Sequence, residues 1–155
     1  LMRKFRGSHD DVDYFVVPAV PDDKQVGDTI NTIMALSDFG VPPEKIRLVF
    51  NKVDEEKISS FDNIFSPILG FHESEKRFTL DPDAIIFSSD IFSMLRPLQK
   101  TLSDVLDDKT DYRQQLKQAS TSEEKQDCLD MIAAKRLALS ASENLDHVYR
   151  ILFKS

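Results

Sequence analysis

Apolar residues follow two different spacings along this chain. Asp13-Tyr14-Phe15-Val16-Val17-Pro18 is a near-continuous apolar, β-branched and aromatic run that stops at a proline. Ile46-Arg47-Leu48-Val49-Phe50 and Ala84-Ile85-Ile86-Phe87-Ser88 are two more. Runs of this kind predict strands buried on both faces, as in a parallel sheet. Between the first two, Val26, Ile30, Ile33 and Met34 mark one apolar stripe of a crossover helix. Asp38-Phe39-Gly40 followed by Pro42-Pro43 closes it. Strand, helix and strand with short connectors make a βαβ unit, almost always right-handed.

Phe61, Ile64, Phe65, Ile68 and Leu69 then repeat at helical spacing, with Pro67 predicting a kink or an early stop. Asp81-Pro82-Asp83 is a turn feeding the third strand. Ser88-Ser89-Asp90 offer N-cap oxygens for a short helix toward Arg96, and Pro97 is expected to open another, to about Leu106. Composition changes at Asp107-Asp108-Lys109-Thr110-Asp111, which divides the chain into an α/β body (1–107) and a helical appendage (108–155). Ser120-Thr121-Ser122-Glu123-Glu124 holds two overlapping capping-box frames. Leu129, Ile132, Ala133 and Leu137 predict one helical stripe and Leu145, Val148, Tyr149 and Leu152 a second. Met131, Ala134, Ala138 and Leu139 spread apolar surface around the sides. A helix that apolar must bury more than one face, against its own sheet or against a partner.

The 155 residues are 41% hydrophobic and 30% charged, which fits a globular domain with a real core. No apolar run approaches the roughly 20 residues that span a bilayer, and nothing at the N-terminus resembles a secretory signal. A single cysteine, Cys128, excludes an intramolecular disulfide and suits a reducing compartment, so a cytoplasmic location is expected. Cys128 falls among helix-stripe residues and reads as packed. The net charge of −7 argues against membrane attachment and against direct DNA binding. Arg3-Lys4-Arg6 and Lys135-Arg136 are short basic clusters flanked by acid and read as solvated helix faces. His9, His72 and His147 have no metal-ligand spacing, so no metal site is expected.

Candidate chemistry concentrates after the second strand, in Asn51-Lys52-Val53-Asp54. Ligands of open parallel sheets bind at the carboxyl ends of the strands. An Asn side chain both donates and accepts, which suits a purine edge. The Asn-Lys-x-Asp tetrad also looks like the base-recognition motif of GTPases, in which the Asp reads guanine. Equally, Asn51 and Asp54 can simply cap a turn and the following helix. Asp22-Asp23 beside Lys24 can bind a cation or phosphate, or cap the first helix. The glycines are isolated and no G-x-x-x-x-G-K-[ST] loop is present. A base-reading motif without a phosphate cradle implies a cradle upstream of Leu1, and a chain opening on Leu reads as part of a longer protein.

Asp13 to Pro18, Phe39-Gly40-Val41-Pro42-Pro43-Glu44-Lys45-Ile46-Arg47, Asn51 to Asp54, Lys135 to Leu139 and Asn144-Leu145-Asp146 together resemble plasmid stability proteins of the StbB type. These belong with the ParA/MinD-like deviant-Walker P-loop ATPases of plasmid partition. The resemblance covers most of the chain. It implies the C-terminal part of a doubly wound, mostly parallel P-loop-type sheet with a helical appendage. It further implies a plasmid partition function, with ATP and magnesium bound by the intact protein and no tight binding by this part alone. Asn51, Lys52 and Asp54 would contact the base, and Ser88, Ser89 and Asp90 would form the second wall of its pocket. Pro18, Pro21, Asp22 and Lys24 match a switch loop that faces a dimer partner. Implied partners are a second copy and plasmid partition proteins; no catalytic residue is implied here. ParA and MinD relatives usually follow that Asn with Arg, so Lys52 leaves adenine and guanine both open. Two other readings stand beside this one: a non-catalytic protein-interaction module, and a GTPase-like switch reading guanine through Asp54.

Overall fold

The computed structural model describes residues 12–153, so Arg3, Lys4, Arg6 and His9 lie outside the described residues. The chain divides into two compact units. One comprises the residues through Ser88 together with those from His147 onward; the other is Ser89–Asp146. The composition change at Asp107–Asp111 lies inside the second unit.

The first unit is built on a parallel sheet of three strands, β1 (Phe15–Ala19), β2 (Ile46–Val53) and β3 (Ile85–Phe87), in the order β1-β2-β3. Phe15 pairs with Ile46 and Ala19 with Phe50; on the other side Phe50 pairs with Ile85. This is an α/β fold. A doubly wound sheet needs a point where strand order reverses, and the described strands run in sequence without one. Pro18 sits near the end of β1, whose other edge meets no strand among the described residues, so its missing N–H costs no ladder bond there.

Helix α1 (Asp23–Asp38) makes the first crossover. Asp22 caps it by accepting from the Gln25 N–H at 3.1 Å. At its end the Gly40 N–H donates to Ser37 and the Val41 N–H to Leu36, with Gly40 at φ 93°. This paired closure needs a left-handed residue, and glycine supplies it without Cβ strain. Val26 and Ile33 are buried as the spacing predicts, and Ile30 packs against them, but Met34 is 40% exposed. Thr29 takes the buried place instead. Its Oγ1 lies 2.9 Å from the carbonyls of both Pro18 and Gln25, so the hydroxyl is satisfied whichever one it donates to.

The second crossover contains α2 (Phe61–Ile64) and α3 (Ser66–Glu75), with the break at Phe65. Pro67 sits in the first turn of α3, where a missing N–H is tolerated. Phe50, Phe61 and Phe65 meet with ring centroids 4.7–5.0 Å apart. They join Val17, Ala19, Val26, Ile33, Ile46, Leu48 and Ile68 in one cluster on one face of the sheet. On the other face Val49 and Ala84 pack with Val148 and Leu152.

The second unit contains α4 (Ile91–Leu98), α5 (Leu102–Asp107), α6 (Tyr112–Gln118) and most of α7 (Ser122–Leu152). Pro97 does not open a helix; it lies inside the last turn of α4. α5 is opened by Thr101, whose hydroxyl accepts from the Asp104 N–H while the Asp104 carboxylate accepts from the Thr101 N–H. That reciprocal box satisfies two donors and outcompetes a proline start. α7 is one continuous helix of 31 residues, not two. Thr121 caps it by accepting from the Glu124 N–H, and Glu124 reaches back to the Ser120 N–H.

The buried face of α7 also differs from the expected stripe. Leu129, Ala133 and Leu139 are exposed, while Cys128, Met131, Ala134, Ala138 and Ala141 are buried. Ala134, Ala138 and Ala141 pack with Ile91 and Val105. Small residues let neighbouring helices approach closely, so alanines rather than leucines mark the inner face. Among the described residues no helix is long and apolar enough to cross a membrane.

Two sets of substitutions test this packing. Phe50→Ala, at a fully buried ring, should destabilise by about 3–5 kcal/mol in urea unfolding. Ala138→Leu should cost about 1–3 kcal/mol by overpacking, whereas Ala133→Leu on the exposed face should stay within about 0.5 kcal/mol. Equal effects at Ala133 and Ala138 would invert the assignment of the buried face.

Candidate functional site

All three strands are parallel, so the loops that leave them emerge at one edge of the sheet. The central strand ends irregularly. Phe50 pairs with Ile85 but Val53 pairs with Phe87, so β2 carries one residue more than β3 over the same stretch. The extra residue forms a bulge at Asn51-Lys52, and Lys52 has a φ of 56°. A lysine at positive φ is strained by its Cβ. The Asn51 side chain offsets part of that strain: its Oδ1 accepts from the Lys52 N–H at 2.9 Å.

Asp54 comes two residues later. Its Oδ1 accepts from the Glu56 N–H at 3.0 Å, and its carbonyl accepts from the Lys57 N–H at 2.9 Å. It thereby caps a short 3₁₀ turn (Glu55–Ser60). The Ser88 N–H donates to the Val53 carbonyl at 2.8 Å, which holds the start of the loop after β3 against this turn. Asn51, Lys52, Asp54 and Ser88 are thus gathered at one place, Asn51 half-buried and Lys52 and Asp54 exposed. Ser89 and Asp90 belong to the second unit and form the start of α4. Ser89 Oγ accepts from the Ile91 N–H at 3.3 Å, and the Asp90 carbonyl accepts from the Ser93 hydroxyl at 2.8 Å.

The loop after β1 carries Pro18, Pro21, Asp22 and Lys24. Pro18, Val20, Gln25 and Thr29 border a small open cavity of about 220 Å³. Pro21, Asp22 and Lys24 are exposed beside it. Asp22 is the cap of α1 and Asp23 lies in its first turn, so this helix N-terminus already holds two carboxylates. Helix N-termini favour anions, and here the protein supplies its own. The arrangement at this edge can accept a base or a neutral polar edge.

A second polar centre, in the second unit, has no motif in the sequence. Asp108 follows α5, and its Oδ1 accepts from the Thr110 N–H at 2.9 Å. Its Oδ2 accepts from the Tyr112 hydroxyl, and Lys100 Nζ stands 3.8 Å away. The Lys135 ammonium donates to the Asp108 carbonyl, tying α7 to the same turn. The Tyr112 hydroxyl first, and the Thr110 donors next, hold the Asp108 carboxyl well below the usual carboxylate range. Burial first, and then the Asp108 hydrogen bond, push the Tyr112 hydroxyl up. The only local signal is an Asp two residues before Thr110, which suits an Asx turn. Its partners Lys100 and Lys135 are remote in sequence.

Cys128 is buried on α7. His72 packs edge-on against Phe78 at 5.0 Å. Among the described residues no group of three His, Cys, Asp or Glu side chains is placed to hold a metal ion. Comparison of the chain with protein-family models, with curated proteins and with solved structures returns no match.

The Asp108 centre generates a pH prediction. Because its folded-state pKa is lowered, its contribution to stability is present above the ordinary Asp value, about 3.9, and is lost as pH falls toward the folded value. Asp108→Asn should therefore be less stable than the parent chain at neutral pH, with the gap narrowing as pH drops below about 4. Urea unfolding of both proteins through that range checks it; a gap that stays constant would show that the Asp108 charge contributes nothing.

Proposed function

We propose that this chain is the C-terminal portion of a StbB-type plasmid stability or partition ATPase of the ParA/MinD-like group. In this reading the protein works in the cytoplasm, and nucleotide-dependent dimerisation positions plasmid DNA through partition partner proteins. This portion carries the base-contacting loops. The observation that carries the reading is the bulged end of β2. A left-handed, non-glycine Lys52 stands there between Asn51 and Asp54, at the carboxyl end of the central strand of a parallel sheet. Strained residues persist where the surroundings over-determine them, and they cluster at ligand sites.

The strand order supports the finer fold. Each half of a doubly wound sheet runs outward in sequence with its crossover helices on one face. β1-β2-β3, with α1, α2 and α3 contributing to a single cluster on one face, has the form of such a half. Among the described strands β1 pairs only with β2, and upstream strands carrying the P-loop would add to its other edge as far as Pro18, which has no N–H to continue the pairing.

At the site, the bond from the Lys52 N–H occupies Asn51 Oδ1 and leaves the Nδ2 donors for a ring acceptor of the base. Ser88 lies beside the same turn. The exposed Lys52 stem can cover the base or sugar. Pro18, Pro21, Asp22 and Lys24 would face the second subunit. ATP with magnesium, when bound, supplies the phosphoryl group whose transfer drives the cycle. Asp22 and Asp23 at the start of α1 do not suit the phosphates, so no part of that transfer is assigned to residues of this chain. Asp54 has one oxygen committed to the Glu56 N–H, which weakens a guanine reading that needs the whole carboxylate.

Calorimetry tests the reading in two steps. The 155-residue chain alone should bind magnesium-ATP weakly or not at all and should not hydrolyse it. The protein extended upstream should contain a G-K-[ST] loop and bind tightly, ATP in preference to GTP. In that longer protein Asn51→Ala should weaken binding by roughly 5- to 100-fold, the loss of one or two base hydrogen bonds, with melting only slightly earlier from loss of the bond to the Lys52 N–H. Tight binding by the short chain overturns the assignment. So does an Asn51→Ala variant that melts earlier yet keeps its affinity.

A further inference from the structure

The outer face of α7 carries a second heptad, separate from the alanine face that it buries. Lys125, Leu129, Ile132, Arg136, Leu139 and Glu143 succeed one another at alternating steps of four and three residues. That is the spacing of a coiled-coil seam. Leu129 is 47% exposed and Leu139 56%. Lys125, Arg136 and Glu143 are exposed and Ile132 is half-buried. All six lie in the second unit. Beside the seam runs an open cavity of about 490 Å³, bordered by Leu106, Tyr112, Arg113, Ile132, Arg136 and Leu139. Exposed leucines in register beside an open cavity are the kind of surface at which proteins associate.

We infer that this face pairs with the same face of a second copy of the chain, antiparallel, about a two-fold axis beside Ala134. Its self-complementarity argues for that occupant. In this register Lys125 meets Glu143 of the partner subunit, Leu129 meets Leu139 of the partner subunit, and Ile132 meets Arg136 of the partner subunit. Two-fold symmetry makes each of these contacts twice. The two leucine layers flank the Ile132–Arg136 layers nearest the axis, and each brings a leucine to the cavity bordered by the opposing Leu139. Arg136 lays its methylenes along Ile132 of the partner subunit and turns its guanidinium to the solvent side of the seam. The lysine–glutamate pairs close both ends. A parallel pairing would instead set Lys125 on Lys125, Arg136 on Arg136 and Glu143 on Glu143, so like charges select against it.

Analytical ultracentrifugation of the chain without nucleotide tests the pairing, so its failure leaves the nucleotide reading standing. A reversible dimer is expected. Leu139→Glu should weaken it by about tenfold or more, with the helical circular dichroism unchanged because Leu139 is exposed. Lys125→Glu and Glu143→Lys should each weaken the dimer, and the two together should restore it. These end positions are exposed, so the charge exchange decides the matter even if Leu139→Glu perturbs folding. A chain that stays monomeric at high concentration overturns the inference. So does a dimer indifferent to Leu139→Glu, or a double exchange that fails to restore association.

Discussion

β2 is apolar on both faces, and the first unit is arranged to cover both of them. Ile46, Leu48 and Phe50 point into the cluster shared with α1, α2 and α3, while Val49 points to the opposite face. The two crossovers cover only the first side. The second is closed by Val148 and Leu152, from the last turns of α7. Arg47 lies on that second side and is made tolerable there by three contacts. Its Nε donates to the Glu44 carbonyl at 2.8 Å, its Nη1 to the Leu152 carbonyl at 2.8 Å, and its guanidinium sits 4.5 Å from the Tyr14 ring centre. A cation on the last carbonyls of a helix also favours its dipole. Tyr14 in turn packs edge-on against Phe153, and Phe153 against Tyr149.

The candidate site depends on the same strand. Regular pairing holds β2 as far as Phe50, and one extra residue then breaks the alternation. Beyond that break the bonds are local: a side chain holding the next N–H, an Asp capping the next turn, and a neighbouring loop pinned by one backbone bond. A rigid strand thus presents a short, internally bonded turn at its exposed end, the combination that positions ligand-binding groups. The second unit has a different organising group. Asp108 links the end of α5 to α6, α7 and Lys100 through one carboxylate and one carbonyl.

Much of the first unit is legible in the sequence because parallel strands leave continuous apolar runs and Asp38-Phe39-Gly40 carries its own stop signal. Of these strands β2 is buried on both faces, whereas β1 leaves Val16 41% exposed. The spacing misplaces Met34 because Thr29, a polar residue, takes the inner position through two backbone carbonyls that no pattern reveals. The faces of α7 mislead for a related reason. Size is a poor guide to burial in this helix, where close packing selects Ala134, Ala138 and Ala141 and leaves Leu129 and Leu139 outside. Pro97 and Thr101 compete for one helix start, and the reciprocal bonds of Thr101 and Asp104 decide it. Asn51, Lys52 and Asp54 can be located from the sequence, but the bulge and the positive φ at Lys52 arise from pairing with β3. The Asp108 centre adds Lys100 and Lys135 to a local turn at Thr110 and Tyr112, and nothing in the turn's own sequence signals those two lysines.

The bond from Arg47 to Leu152 spans 105 positions of sequence, and that separation sets an order of events during synthesis. At roughly 5–20 residues per second, between about 5 and 20 seconds pass after Arg47 is made before Leu152 exists. Through that interval Val49 and the half-buried Arg47 lack their final cover, although all three strands can pair once Phe87 has been made. The nascent first unit is therefore a one-sided sheet, apolar on its open face, until the last turns of α7 arrive.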